Sequence, residues 1–205
     1  EGFEGTFPRE GWDIEDLNPD SGRYYWGKRD CRARSGRYSA WCVGAGDSSI
    51  SCGSNYRNDM FSWMVYGPFS LADASAAELV FDWTLETGYM YDSFWWVAST
   101  DGEYFYGYGA TGGKGNWITG EKLDLSAVPT GSGSINMLGE DQVWIAFVFE
   151  SDYVETDKGS FVDNVLLRKR VGAYGSIGEG VTSSPRVLQD DQDMRPIKLR
   201  RAQQE

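Results

Sequence analysis

The feature that most constrains the fold of this chain is an alternation of apolar and polar side chains with a period of two. Residues 77–86 place a large apolar side chain at every second position: Leu79, Phe81, Trp83 and Leu85. Successive side chains of a β-strand point to opposite faces, so this segment has one apolar face and one more polar face. Helical periodicity is nearly absent. The pattern predicts half-buried antiparallel strands.

Turn signals divide other parts of the chain into similar strands. Residues 93–100 and 103–109 flank Asp101-Gly102. This dipeptide suits the positive φ values of a type I′ turn, so we expect a hairpin here. Residues 117–126 predict a strand at or near a sheet edge.

One further strand differs from these because it is apolar on both faces. Residues 143–149 read VWIAFVF, which is typical of a central strand. A polar loop separates this strand from residues 159–169. We expect these two segments to pair with each other.

Composition fits the same fold class. The chain has 205 residues, 26 glycines and an aromatic fraction of 15%. Glycine exceeds its average of about 7% and shows no collagen-like period. Some nine or ten short strands joined by tight turns predict an all-β sandwich in residues 1–170. Residues 171–205 change in character: a Gly/Ser-rich linker leads into a polar, extended C-terminal tail.

Two segments carry a resemblance to a known family. Residues 3–12 (FEGTFPREGW) and 159–169 (GSFVDNVLLRK) each look like a strand with one carboxylate, Glu4 and Asp163. They resemble the MAM-like and choice-of-anchor-J jelly rolls of bacterial, Chloroflexota-like surface proteins. Jelly rolls attached to immune-inhibitor-A-type peptidases are related. The resemblance extends over residues 1–170.

The resemblance implies a two-sheet antiparallel jelly-roll β-sandwich at the bacterial cell surface, with its first and last strands adjacent. It also implies a structural Ca²⁺ that ties those strands together. An isolated carboxylate is costly to bury, and calcium prefers carboxylate and carbonyl oxygens. We expect Glu4 and Asp163 as ligands, with Asp47 as a third. Hydrogen bonding of Glu4 and Asp163 to the backbone, or pairing with an arginine, is the open alternative.

Composition also excludes several kinds of chemistry. The chain contains no histidine, which removes Ser-His and Cys-His nucleophilic systems and histidine zinc sites. A formal net charge of −12 argues against a nucleic-acid surface. No apolar run approaches the roughly 18 residues of a membrane helix. We expect a protein that is not an enzyme, binds no nucleic acid and has no membrane span.

The three cysteines predict a disulfide in an extracellular setting. Three pairings are open. The turn-rich surroundings of Cys31 and Cys52 favour a bond between these two. Strand alternation makes Cys42 a small core residue.

One acidic motif matches the E-x-D-x-x-E spacing of laminarinase-type glycoside hydrolases, which share the jelly-roll sandwich. It consists of Glu150, Asp152 and Glu155. In those retaining enzymes the two glutamates act as nucleophile and acid/base. Here the motif runs from a strand into a polar loop, so a glycoside hydrolase is the third and most distant reading.

Aromatic residues suggest a binding surface. Trp95 and Trp96 are adjacent in a strand and must point to opposite faces, so one of them lies outside the core. Exposed aromatic rings stack on sugars and also form protein interfaces. The candidate residues for such a platform are Trp95, Tyr104, Tyr106 and Trp117. A carbohydrate-binding module is therefore the alternative function.

The leading function is a non-enzymatic, extracellular structural or adhesive module, a subunit of a surface filament or sheath. The tail supports it, because residues 185–188 and 196–199 hold apolar residues that fit a strand. We expect the tail to pair with an exposed sheet edge of another copy or another surface protein. The basic residues that would meet an acidic neighbour are Arg195, Lys198, Arg200 and Arg201.

Overall fold

The computed structural model describes residues 1–47, 50–88, 91–172 and 195–201. Within these residues the regular structure consists of thirteen β-strands and one 3-10 turn at Pro19–Ser21. The strands are β1 Trp12–Asp16, β2 Tyr25–Arg29, β3 Ser39–Ala45, β4 Phe61–Phe69, β5 Ala74–Glu86, β6 Ser93–Ser99, β7 Tyr104–Thr111, β8 Ile118–Asp124, β9 Val128–Pro129, β10 Ser134–Ile135, β11 Val143–Glu150, β12 Gly159–Val171 and β13 Arg195–Arg200.

The strands form two antiparallel sheets that pack face to face. Sheet A has the order β1-β4-β11-β6-β7-β13, and sheet B has the order β2-β3-β12-β5-β8. Strands β9 and β10 pair separately. The eight central strands β4-β11-β6-β7 and β3-β12-β5-β8 have the strand order of a jelly roll. The predicted fold class, an all-β two-sheet jelly-roll sandwich, is confirmed.

The main core lies between the sheets. The four alternating residues of β5, from Leu79 to Leu85, are fully buried, as the pattern predicted. The rings of Phe81 and Phe147 meet edge to face across the sheets at 4.9 Å. Trp96 is fully buried in the same core, whereas Trp95 lies on the other face of β6 and keeps partial solvent exposure. Strand alternation therefore separated the two tryptophans correctly.

A second apolar cluster lies on the outer face of sheet A. Trp63 of β4 and Phe105 of β7 are fully buried there, and their ring centroids are 5.3 Å apart. Strands β11 and β6 separate β4 from β7, which is about 14 Å along a flat sheet. The rings meet because sheet A is strongly curled and its outer face is concave. We call this surface the curled face.

The C-terminal strand closes the curled face. β13 pairs with β7 of its own chain, placing Leu199 opposite Phe105 and Ile197 opposite Gly107. Beyond the strand, the guanidinium of Arg201 pairs with Asp13 and Glu15 of β1, the opposite edge of the sheet. The tail was expected on a neighbouring chain. Instead, residues 195–201 join their own sheet, because its curl brings both edges within reach of one arginine.

Three local predictions were wrong. Residues 3–5 form a bend rather than a strand, because Phe3 adopts a positive φ of 59° that turns its ring into the core. Strands β11 and β12 lie in different sheets, so the polar loop between them is a crossover and not a hairpin. In the β6–β7 turn only Gly102 has a positive φ, so the turn is not type I′. The Asp101 carboxylate accepts the N–H groups of Glu103 and Tyr104 instead.

The cysteine prediction is confirmed. Cys31 and Cys52 form a disulfide with their Cα atoms 5.3 Å apart. Cys42 is free and fully buried, and burial raises the pKa of its thiol. Closing a loop of this size stabilises the fold by about 3 kcal/mol. In the described part of the chain, no helix is long and apolar enough to cross a membrane.

Candidate functional site

Three connections lie at one end of the sandwich: the loop before β4, the segment before β6, and the β11–β12 crossover. The first and the last of these form a shallow groove. The groove has a volume of about 380 Å³. We call it the loop-end groove, and its lining residues are Tyr56, Arg57, Asn58, Asp59, Val154 and Thr156.

Main-chain hydrogen bonds hold the walls of the groove together. The N–H of Tyr56 donates to the carbonyl of Asp157 at 2.8 Å, and the N–H of Asp59 donates to the carbonyl of Asp152 at 2.9 Å. The side-chain amide of Asn58 donates to the carbonyl of Tyr153 at 2.9 Å. Because both walls are fixed by the same ladder of bonds, the shape of the groove exists before any ligand arrives.

A buried carboxylate anchors the third connection to the other two. Asp92 is fully buried immediately before β6. Its Oδ2 accepts the hydroxyl of Tyr56, and its Oδ1 accepts the N–H of Asp152 at 2.7 Å. Burial raises the pKa of Asp92, and the charges of Asp152 and Glu155 act in the same direction, while the two hydrogen bonds oppose it. Burial and the bond to Asp92 raise the pKa of Tyr56. Asp92 thus fixes the floor of the groove.

Exposed apolar side chains gather at this end of the molecule. Tyr153 is 77% exposed, Tyr91 is 55% exposed and Val154 is 50% exposed. Only two other large apolar residues of the described chain are as open, Leu166 and Val171 of β12. Tyr91 and the Glu155 carboxylate both lie against Gly88: a Cβ there would be 3.6 Å from Tyr91 Cδ2 and 3.0 Å from Glu155 Oε2. An aromatic face and a carboxylate therefore stand side by side.

The acidic motif borders the groove but does not line one face. β11 ends at Glu150, and the Asp152 carboxylate accepts the N–H of Val154 at 2.8 Å. That bond caps the loop, which turns Glu155 away towards Gly88. The protein around Glu150 desolvates its carboxyl in part and raises its pKa, and the charge of Asp92 adds to this. Without a continuous strand, alternation cannot align the three acids as a retaining glycosidase requires.

The four residues of the expected aromatic platform lie on three different surfaces. Trp95 is on the curled face and covers Gly109, where a Cβ would be 1.9 Å from Trp95 Cδ1. Tyr104 and Tyr106 are on the opposite face of β7, where the ammonium of Lys198 lies 4.5 Å and 5.6 Å from their ring centroids. Trp117 precedes β8 and packs against the main core. These residues do not form one platform.

The basic residues of the tail also separate. Lys198 and Arg200 are exposed, and Arg200 pairs with Glu103 at 2.9 Å. Arg201 is largely covered, with a side chain that is 19% exposed. Burial opposes its charge, but the pairing with Glu15 and Asp13 outweighs this and raises the pKa of its guanidinium. Arg195 starts β13, and its side chain lies outside the described part.

Glu4 and Asp163 bind the same loop, and both do so through backbone N–H groups. Glu4 Oε1 accepts the N–H groups of Arg37 and Tyr38, both at 2.9 Å. Asp163 Oδ2 accepts the N–H groups of Arg34 and Ser35 at 2.9 and 3.0 Å. Both carboxylates therefore clamp the loop between β2 and β3. The bonds from Tyr38 and Arg37 lower the pKa of Glu4.

This clamp bears on the calcium prediction. Carboxylate oxygens that face N–H hydrogens are a poor fit for a cation. The described residues contain no group of three or more acidic or cysteine side chains that could hold a metal ion. Asp47 is exposed in the bend after β3. The hydrogen-bonding alternative left open by the sequence is the one observed, and calcium binding stays a prediction.

Glu1, the first residue, is hydrogen-bonded to β12 two residues after Asp163. The N–H of Val165 donates to the carbonyl of Glu1 at 2.8 Å, and the Glu1 amino group donates to the carbonyl of Val165. The first residues therefore lie beside the last strand of the sandwich. They form no strand themselves, and β1 pairs with β4 in the other sheet, so the first and last strands are not adjacent as expected.

Sequence reasoning missed the exposed residues of the loop-end groove. The available signal was the apolar pair Tyr153-Val154 in the middle of an otherwise polar loop, ESDYVETDK. An apolar pair in such a loop has no strand face to fill, so it either folds back onto the core or stays at the surface.

Comparison with known proteins gives few matches. No protein-family model matches the chain, and no curated protein matches it in sequence. One similar solved structure is TmCBM61 in complex with beta-1,4-galactotriose, at 14% identity and a TM-score of 0.43, covering 82% of this chain and 94% of that one. Another is the K1 cleaved adhesin domain of Lys-gingipain from Porphyromonas gingivalis W83, at 14% identity and a TM-score of 0.46, covering 83% and 96%.

Proposed function

We propose that this protein is an extracellular, non-enzymatic binding module that holds a neutral glycan in the loop-end groove and so serves adhesion. One observation carries the proposal. The exposed side chains Tyr91, Tyr153 and Val154 belong to the connections at one end of the sandwich, where Val154 lines the groove together with Arg57 and Asn58.

The chemistry of a sugar ring suits this combination. A pyranose has a C–H face, which packs on an aromatic ring, and a rim of hydroxyl groups, which hydrogen-bond to polar side chains. Tyr153, which directly precedes Val154 of the lining, and Tyr91 would offer rings beside the groove. Arg57 and Asn58 line the groove, and the carboxylate of Glu155 lies beside Tyr91.

The charge of this end favours a neutral ligand. Glu150, Asp152 and Glu155 border the groove, and the whole chain carries a formal net charge of −12. Sulfated or uronic-acid chains would be repelled by these carboxylates. Neutral hydroxyl-rich chains would instead find hydrogen-bond acceptors.

The rigidity of the groove supports binding. The hydrogen bonds between its walls and the bonds to Asp92 already hold the loops in place. Little conformational entropy is therefore lost when a ligand binds, which favours affinity. The Cys31–Cys52 disulfide fits an oxidising, extracellular location.

The proposal is tested by alanine variants and binding to a panel of neutral and acidic polysaccharides in affinity electrophoresis. Tyr153→Ala and Tyr91→Ala are each expected to weaken binding to the retained neutral polysaccharide about 5- to 10-fold. Leu166→Ala is the matched control, because Leu166 is also exposed (49%) but lies on β12. Equal retention of all three variants, or retention by acidic polysaccharides alone, would refute the proposal.

A further inference from the structure

The Cys31–Cys52 disulfide joins one wall of the loop-end groove to a distant loop of the sandwich. Cys52 lies just before Tyr56, the first residue of the groove lining, in the same connection between β3 and β4. Cys31 lies in the loop between β2 and β3. The disulfide is therefore a covalent link between the β2–β3 loop and a wall of the groove.

The β2–β3 loop is itself held firmly against the sandwich. Glu4 and Asp163 accept four of its main-chain N–H groups. The guanidinium of Arg32, the residue after Cys31, forms an ion pair with Glu86 of β5. The disulfide therefore connects the groove wall to a fixed point.

The segment between Cys52 and the groove lining is held to the crossover by polar side chains. Residues 51–55 are all exposed. The ammonium of Lys158 donates to the carbonyl of Gly53 at 2.7 Å, and the side-chain amide of Asn55 donates to the carbonyl of Thr156 at 2.6 Å. Water competes for such exposed hydrogen bonds. A covalent bond is not open to this competition, so the disulfide holds the segment in place.

The two sulfur atoms of the disulfide differ in access. Cys52 is exposed, whereas Cys31 is half-buried and packs against the main core. A thiolate of a dithiol reductant can attack the Cys52 sulfur, which forms a mixed disulfide and releases Cys31. The second thiol of the reductant then attacks the mixed disulfide and releases Cys52, so that two electrons and two protons pass from the dithiol to the protein and the dithiol becomes a disulfide. Cys42 is fully buried and the pKa of its thiol is raised, which keeps it out of the exchange.

We propose that the Cys31–Cys52 disulfide is a redox switch for glycan binding in the loop-end groove. The oxidised form holds the wall that contains Tyr56 in its binding shape. Reduction by a dithiol releases that wall, and ordering it again at each binding event costs conformational entropy. This inference rests on the proposed function, and it adds that the same site binds in oxidising surroundings and releases its ligand in reducing ones.

Affinity electrophoresis of the full chain in the retained neutral polysaccharide tests the switch. Reduced wild type and the double variant Cys31→Ser/Cys52→Ser are each expected to bind about 5- to 10-fold more weakly than oxidised wild type. Dithiol should not affect the double variant, and reoxidation should restore the wild type. The matched control is Leu123→Ala, because Leu123 is fully buried in β8, away from the groove, and its loss lowers stability alone. Equal binding by reduced and oxidised wild type, or an equal loss in Leu123→Ala, would overturn the switch.

Amide hydrogen exchange tests the coupling of disulfide and groove without a ligand. The N–H groups of Tyr56 and Asp59 bind crossover carbonyls, whereas the N–H of Leu125 binds the carbonyl of Ala77 near the start of β5, at the other end of the sandwich. Reduction should speed exchange at Tyr56 and Asp59 and leave Leu125 unchanged. Equal acceleration at all three, or none, would overturn the switch. Failure of the oxidised protein to bind any neutral glycan would instead refute the proposed function, and the exchange rates would still decide the coupling.

Discussion

At the scale of single residues, buried carboxylates organise the loops of this sandwich. Asp92 joins the segment before β6 to both walls of the loop-end groove, and Asp163 clamps the β2–β3 loop. A carboxylate can accept several N–H groups at once, which irregular loops need because they lack a strand partner. The cost is desolvation, which appears in the raised pKa of Asp92.

The pH dependence of stability should reveal Asp92. Its pKa is raised in the folded state, so its contribution is full below the ordinary Asp pKa of about 3.9 and is lost as the pH rises through the folded value. The stability of the wild type relative to Asp92→Asn should therefore be greatest in acid and fall as the pH rises. Melting temperatures of both proteins across this range check the sign. A difference in melting temperature between the two proteins that does not change with pH would contradict the predicted sign.

Asp163 should matter more than Glu4, although both accept two N–H groups of the same loop. Asp163 is fully buried, and its second oxygen also accepts the N–H of Asn164, so Asp163→Asn must turn its amide donor towards at least one of these N–H groups, at a cost of about 1–3 kcal/mol. Glu4 is exposed and water can replace its two bonds, so Glu4→Gln is expected to cost less than Asp163→Asn, which disturbs three bonds. Urea denaturation of both variants measures the difference. A greater loss for Glu4→Gln would be inconsistent with this account.

At the scale of elements, β13 is an edge strand of sheet A. Among the described strands it pairs with β7 only, and Leu199 is its most buried described side chain. Lys198 points to the other face of the strand, over Tyr104. The two faces of β13 contact different surroundings. Substitutions at neighbouring positions therefore distinguish the contribution of the curled face from that of the opposite face.

Leu199→Ala is expected to loosen β13 by about 2 kcal/mol, because it removes apolar contacts with Phe105 in the curled face. Lys198→Ala should cost less, since it removes only an exposed cation–π contact of about 0.5–1 kcal/mol. Amide hydrogen exchange in β7 reports the opening of β13 directly. Unchanged exchange in Leu199→Ala would show that the curled face does not hold the strand.

Local patterns predicted which face of a strand is buried but not which strands pair. The alternation in β5 identified its buried face because successive side chains point to opposite faces of a strand. The same pattern cannot identify partners: a polar loop after β11 suits a hairpin as well as a crossover. The bend at Phe3 and the meeting of Trp63 with Phe105 depend on backbone turns and sheet curl that no local pattern contains. Topology came from the family resemblance, and the disulfide from turn context.

At the scale of the whole molecule, one end and one face of the sandwich differ in what they present. The end carries the loop-end groove with exposed rings beside it, and the curled face receives β13. The groove escaped sequence analysis because exposure is a property of the assembled loops: Tyr91 and Tyr153 are far apart in the chain, and the bond between Asp152 and Asp92 joins their loops. Trp95, which the sequence favoured, is partly covered by the curl of sheet A.

The central claim is that a neutral glycan binds in the loop-end groove. Chemical-shift mapping of the ¹⁵N-labelled full chain with neutral oligosaccharides tests it most directly, using cello-, xylo-, manno- and galacto-oligosaccharides at about 1 mM, where even weak ligands occupy the site. One series should shift the amides of Tyr91, residues 57–59 and residues 152–156. Shifts confined to the curled face around Trp95, or no shift with any series, would contradict the claim.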